Sequence, residues 1–432
     1  AQQRVAPLAL ASVLALLCWA GRGNFSLTAW WGVVILIGVI ATVLQLSRMD
    51  GRVVARPLAA AGIVFAAWRV MMWCFAALGL HYSAVFAPIK EVVGTDNSSF
   101  AGVSVVRAAL ADAWVHWDST AYVAIATTGY TFRGVRWPSI AFFPLYPLLS
   151  RWLSLATTIS VELAAVLIAQ VAFFGALLVL YDLVSRDFGT TVAYRTLILL
   201  IVCPTSFFFA AAYTESITLL LLVAAVWAIR RGRWWLAGGL GFLLTLARLP
   251  GVLIAPILVL AYLHSLGWRW RAIRAPIVAA ALPPLALALF MAFQWQRFGT
   301  PFAFMIAQQS WDNRLSPPWV LPQALYEHIF VYDNWPLATV QALFWIVFLV
   351  LTIGALLRLP WLYSLTLLFF LLPPYLSSWP WSVSRHVLLG FPAFIVLAQW
   401  TGRVWVRQLL VIAMIGLLAL LTALFVNGVL VA

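Results

Sequence analysis

Apolar runs long enough to span a membrane recur along the whole chain, separated by short turns that carry arginine. Clear runs cover 29–46, 57–80, 162–184, 192–212, 273–295, 337–357, 361–378, 386–402 and 408–428. A spanning helix needs about 20 mostly apolar residues. The run 214–264 is too long for one crossing. Arg230, Arg231 and Arg233 cut it once, and Arg248-Leu249-Pro250-Gly251 cuts it again, which predicts three short helices at 214–229, 234–249 and 251–264. The stretch 5–20 has the length of a signal peptide but no small-x-small cleavage site, so it reads as a retained first helix. The pattern predicts an all-α polytopic membrane protein forming one integral membrane domain over residues 1–432. About 13 transmembrane helices are expected, with a range of about 11–14.

Composition agrees with this pattern. Of 432 residues, 65% are hydrophobic and only 9% are charged, too few to cover a water-soluble globule of this size. The 22 prolines and 24 tryptophans do not suit a coiled coil. The three cysteines, Cys18, Cys74 and Cys203, lie in apolar stretches without metal spacing and read as small buried hydrophobes.

The net charge of +14 would suggest nucleic acid in a soluble protein. Its distribution gives a different meaning. With the N-terminus in the cytoplasm and thirteen crossings, the cytoplasmic turns receive fifteen arginines, from Arg4 to Arg407. Only three acids, Asp50, Asp182 and Asp187, accompany them. Nine acids, among them Asp118, Glu162 and Glu215, fall on the other side. The excess positive charge is therefore an orientation signal, helped by anionic lipid headgroups, and no nucleic-acid partner is expected.

Two long segments, about 81–160 and about 297–336, fall on the non-cytoplasmic side. The first mixes polar residues with Trp114, Trp117, Tyr122, Tyr130, Trp137 and the run Ile140 to Leu149, so interfacial helices are expected in it. The second mixes Phe298-Gly299-Thr300-Pro301 with Ala307-Gln308-Gln309-Ser310-Trp311. Chemistry is expected on this outer face.

Four strings there carry candidate chemistry. In His116-Trp117-Asp118, the acid opens a helix-compatible run that Gly129 is placed to end, so Asp118 reads equally as an N-cap and as a catalytic carboxylate. In Tyr213-Thr214-Glu215-Ser216, Glu215 suits the positive end of a helix dipole. Arg248 runs against the charge bias and asks for a partner, either a phosphate or lipid headgroups. Arg385 and His386 follow in Ser382-Val383-Ser384-Arg385-His386. Arg69 is an intramembrane charge, which marks a functional position or an ion pair with a neighbouring helix. No zinc spacing, Gly-rich phosphate loop or nucleophile elbow is present.

The ordered set of strings resembles the family of PIG-V, the GPI mannosyltransferase that adds the second mannose, and its bacterial relatives. That family lies within the GT-C membrane glycosyltransferases. The stretches that carry the resemblance are Trp117-Asp118 to Gly129-Tyr130, Ala141 to Pro147, Tyr213 to Ser216, Arg248 to Gly251, Phe298 to Pro301 with Ala307-Gln308, and Ser384-Arg385. The sequence departs from the family pattern at His116, Leu249-Pro250 and His386, which touches the substrate more than the reaction.

The resemblance implies a GT-C fold, a polyprenyl-phosphate sugar donor (typically mannose), and inverting transfer to a lipid or glycan hydroxyl at the external face of the cell membrane. It points to Asp118 as the catalytic carboxylate. Arg248 and Arg385 are the expected donor-phosphate ligands, and His116, Trp117, Tyr122, Tyr130, Glu215 and His386 the expected substrate contacts, with core packing the equal alternative for Trp117, Tyr122 and Tyr130 and pairing with an arginine the alternative for Glu215. No cofactor is required and no metal ligand is assigned, although the expectation leaves room for a divalent ion. A transporter or flippase of lipid-linked sugars is the alternative. It should show two similar halves with matching broken helices, and no such repeat is found. A non-catalytic scaffold would not need Asp118, Glu215 and the outward arginines together.

Overall fold

The structure, a computed structural model, describes residues 27–48, 56–83, 112–332 and 335–429. The expected first helix at 5–20, Cys18 and residues 84–111 of the first external segment lie outside the described residues. Within them the chain is helical, and the one isolated bridge, Leu315 with Ser377, belongs to no strand.

Helices α1 (Leu27–Arg48) and α2 (Pro57–His81) pack on the C-terminal helix α17 (Val404–Val426). The segment 112–160 supplies α3 (Asp118–Thr128) and α4 (Leu145–Thr157). The bundle centre is α5 (Val161–Phe188), flanked by α2, α4, α6 (Thr190–Ile201) and α7 (Glu215–Arg230). Then follow α8 (Trp234–Ala247), α9 (Ile254–Ser265) and α10 (Leu282–Phe298). The segment after α10 carries α11 (Ala303–Gln308) and α12 (Val320–Phe330). The chain continues through α13 (Trp335–Arg358), α14 (Trp361–Tyr375), α15 (Val383–His386) and α16 (Phe391–Trp400).

Among the described residues, five stretches are long and apolar enough to cross a membrane: Pro57–His81, Val161–Phe188, Ala275–Phe298, Pro336–Arg358 and Val404–Val426. They match five of the spans read from the sequence. The three short helices expected in 214–264 are present as α7, α8 and α9. About 13 crossings were expected, a number that the five long apolar helices of the described residues do not by themselves reach, and two of the runs read as spans are broken.

The run 192–212 is not one helix. α6 stops at Ile201, just before Pro204, and residues 202–214 run as buried irregular backbone. Irregular backbone is tolerated at membrane depth only where protein groups satisfy it. Here the Gln170 amide donates to the carbonyls of Phe209 and Ala210, the Ser216 hydroxyl donates to Phe209, and Ala212 N–H donates to Trp114. The run 386–402 is also broken, because the chain bends by 82° at Gly390 between the Val383–Leu389 stretch and α16. A Cβ on Gly390 would stand 2.7 Å from Leu367 Cδ1, so a larger residue at the bend would have to displace the Leu367 side chain.

Cys74 and Cys203 are buried free thiols, in line with the small-hydrophobe reading.

Candidate active site

α7 and α8 form an antiparallel hairpin turned by Arg231-Gly232-Arg233. Their lengths of 16 and 14 residues are nearly matched. The start of α7 therefore returns beside the end of α8, and Glu215 meets Arg248, with Arg248 Nη1 donating to Glu215 Oε1 at 2.8 Å. Gly251 makes this possible. A Cβ there would lie 2.4 Å from the Leu244 carbonyl carbon, so only glycine lets the turn after Arg248 close against α8.

Asp118 is brought to the same point by the irregular segment before α7. Ala212 N–H donates to the Trp114 carbonyl at 2.9 Å, and the Tyr213 hydroxyl donates to the His116 carbonyl at 3.1 Å. The Tyr122 and Thr214 hydroxyls share a 3.3 Å bond. Residues 114–122 are thus fastened to residues 212–214, and Asp118 faces Glu215. Trp117 takes φ 54°, a left-handed value uncommon for a bulky residue, immediately before α3 begins. Gly129 ends α3 with φ 90°, as its place in the sequence predicts.

The third element is α15. Ser384 N–H donates to Gln341 Oε1 at 2.9 Å, and the Thr205 hydroxyl donates to the Ser384 carbonyl at 2.9 Å. Arg385 is thereby held between the carboxylates. Its Nε donates to Glu215 Oε1 at 2.5 Å and its Nη1 to Asp118 Oδ2 at 2.5 Å. Its guanidinium also lies 4.7 Å from the centre of the Tyr213 ring, a cation–π contact.

These four residues adjoin one cavity of about 870 Å³. Asp118, Arg248, Arg385, His386 and Tyr122 line it, together with the chain on both sides of α11 and of the 376–382 turn. The Asp118 side chain is 32% exposed, Arg248 13%, Arg385 7% and Glu215 0%. Asp118 is the only carboxylate among the described residues that line the cavity. Burial pushes the Tyr122 phenol up to about 12, against the opposing pull of Arg248, so it is a neutral hydrogen-bonding group at ordinary pH. Among the described residues, no three His, Cys, Asp or Glu side chains cluster, and both site carboxylates face arginine.

Several expected roles change. Asp118 does not cap α3, because Trp117 occupies that place and the Asp118 side chain is engaged by Arg385. Of the two readings open for Glu215, substrate contact or pairing with an arginine, the structure shows the second: it lies behind the cavity wall and holds both arginines. His116 does not line the cavity; it is fully buried, with its ring edge-on to Phe425 at 5.6 Å. Trp117 packs against the main core. Tyr130 stands behind the wall, donating its hydroxyl to the Phe142 carbonyl at 3.1 Å and packing against Phe290 and Phe293. Arg69 reaches Trp73 and Trp114 through cation–π contacts.

The sequence reading missed the cavity roof. The segments 312–316 and 376–378 are stapled together: Ser316 N–H donates to the Leu376 carbonyl, Ser378 N–H to Arg314, and the Ser377 hydroxyl to Asn313 Oδ1. Trp311, Trp379, Trp381 and Asn313 then face the cavity. Two signals in the sequence point here: Pro373-Pro374 interrupts an apolar run, and a serine- and tryptophan-rich stretch follows it.

Residues 64–266 match the family model for mannosyltransferase (PIG-V). The match covers slightly less than half of the chain and contains Asp118, Glu215 and Arg248, while Arg385 lies beyond it. The motif resemblance and the family match agree over Trp117 to Gly251, and the later motifs at Phe298–Pro301, Ala307-Gln308 and Ser384-Arg385 lie beyond the match. Comparison with curated protein sequences gave no match. Among solved structures, the chain is similar to the Archaeoglobus fulgidus oligosaccharyltransferase crystallised with zinc and sulfate. That superposition has a TM-score of 0.38 and 15% identity, and covers 74% of this chain and 49% of the other. Archaeal oligosaccharyltransferase AglB from the same organism, in complex with an inhibitory peptide and a dolichol-phosphate, gives 0.37, 13%, 81% and 55%. The chain spans about half the length of these two proteins.

Proposed function

We propose that this protein is a membrane glycosyltransferase of the PIG-V and GT-C type, moving a sugar, mannose by family, from a polyprenyl-phosphate donor to a hydroxyl of a lipid or glycan acceptor. The observation that carries the reading is the meeting of Asp118, Arg248 and Arg385 in one cavity, from three distant parts of the chain.

The chemistry follows from that set. The acceptor oxygen attacks the anomeric carbon, and the bond from that carbon to the phosphate oxygen breaks. The electron pair leaves with the lipid phosphate, which is a stable anion and needs no acid to protonate it. The acceptor proton goes to Asp118, whose Oδ2 is held by Arg385 while the carboxylate stays partly open to the cavity. Arg248 and Arg385 face the charge that grows on the phosphate. The lone cavity carboxylate favours a single displacement. A double displacement would use Asp118 as nucleophile and leave no carboxylate to serve as base, because Glu215 is walled off. Single displacement inverts the anomeric carbon.

The arginine distribution in the sequence favours a site at the non-cytoplasmic face. α7 supports this, since Glu215 begins it beside the cavity and Arg230 ends it in an ion pair with Asp187. Those two ends lie about 22 Å apart. The test is transfer by purified protein from polyprenyl-phosphate mannose to lipid and glycan acceptors, with the anomeric configuration of the product determined. An inverted glycoside is expected. A retained configuration, or no transfer from any polyprenyl-phosphate sugar, would overturn the reading.

A further inference from the structure

Glu215 is the one member of the charged quartet that substrate does not meet. It is fully buried and absent from the cavity lining, yet one of its oxygens accepts from both Arg248 and Arg385. Two guanidiniums bonded to one oxygen stand close enough to repel strongly in a dry interior. With Asp118 on the far side of Arg385, the quartet sums to zero charge.

We propose that Glu215 is a buried counter-ion that limits how tightly the arginine pair holds phosphate, so that the spent lipid phosphate can leave. This rests on the reading of the cavity as a polyprenyl-phosphate site. The donor phosphodiester carries one negative charge. After the glycosidic bond forms, the same phosphate is a monoester and carries up to two. An arginine pair without Glu215 would therefore favour product over donor, and turnover would stall on release. Glu215 offsets one positive charge throughout the cycle and does so from behind the wall, where it neither competes for the phosphate contacts nor blocks them. It acts through the arginines, as a positioning residue.

The experiment measures binding of a short isoprenyl phosphate to the detergent-solubilised full chain, alongside steady-state transfer. In Glu215→Gln, phosphate affinity is expected to rise about tenfold while kcat falls by a similar factor. Donor KM is expected not to rise. Glu215→Asp keeps the charge and is expected to keep the wild-type phosphate affinity. A merely structural role for Glu215 would weaken phosphate binding together with thermal stability. Unchanged or weaker binding in a folded Glu215→Gln protein overturns the proposal.

If Glu215→Gln does not fold, the comparison moves to Arg248→Gln with and without Glu215→Gln. The double variant leaves no uncompensated arginine, and it should bind phosphate more tightly than Arg248→Gln alone; equal or weaker binding again overturns the proposal. Failure of the wild-type chain to bind any isoprenyl phosphate is a separate result. It would count against the proposed function and remove the basis of this inference with it.

Discussion

Arg385 donates to Asp118 at 2.5 Å across 267 positions of sequence. The same guanidinium donates to Glu215, so a single side chain joins the first external segment to the hairpin of α7 and α8. In the substrate-free protein the expected base is already ion-paired, and its carboxylate is fixed in direction before an acceptor arrives.

Asp118→Asn keeps the size of the side chain and a carbonyl oxygen for Arg385, but it cannot take a proton. Transfer should fall by about 10²–10⁴-fold in kcat. Binding of an isoprenyl phosphate should remain. Sugar-transfer assays on the folded variant check this, and wild-type turnover would remove Asp118 from the chemistry.

Arg248→Ala removes one charged donor from the cavity while Arg385 still holds Glu215. Donor KM should rise about 10–100-fold, as expected for loss of a charge-assisted hydrogen bond. Acceptor KM should change little. Unchanged donor kinetics would end its phosphate role.

Gly251→Ala places a methyl group where the Leu244 carbonyl already stands. The turn must shift, and Arg248 shifts with it. Stability should fall by about 1–3 kcal/mol, and transfer should fall more steeply than the loss of folded protein explains. Thermal unfolding in detergent, compared with activity per folded molecule, separates the two effects.

Thr127 and Arg233 are exposed and lie at opposite ends of the α3 to α8 assembly. Single cysteines placed there should react with a membrane-impermeant thiol reagent from opposite sides of sealed vesicles, with Thr127→Cys reacting from the non-cytoplasmic side. Labelling of both from one side would refute the topology. The described native thiols, Cys74 and Cys203, are buried.

Much of the site could be read in the sequence because its charges are scarce. Against a 65% hydrophobic background, Asp118, Glu215, Arg248 and Arg385 stand out one by one. The matched lengths of 214–229 and 234–249 already imply that Glu215 and Arg248 meet. The broken segments were harder to read. The run 192–212 reads as one helix, because hydropathy measures burial and says nothing about whether distant side chains will satisfy a backbone that leaves the helix at Ile201 and returns only as a short 3-10 turn at Ser206–Phe209. Gln170, Ser216 and Trp114 do so here, and none of them is near in sequence. The aromatic positions divide: Tyr122 lines the cavity, whereas Trp117 and Tyr130 take the packing role that was the alternative for each, and spacing alone does not separate the two in a chain with 24 tryptophans. Glu215 was legible as a functional charge but not as one hidden from substrate, since depth behind a cavity wall leaves no mark on spacing.

The length of α7 bears on where in the bilayer the reaction takes place. Its 16 residues rise about 24 Å even if the helix stands upright, against about 30 Å of hydrocarbon. If Arg230 and Arg231 sit at one headgroup layer, Glu215 would lie several ångströms short of the other, and a reaction centre beside it would be recessed below the water boundary. Under the proposed function, a sugar donor on a lipid tether would then hardly leave its own leaflet to reach it, whereas an acceptor would have to dip its hydroxyl inward, so reach as well as recognition would decide which acceptors are used.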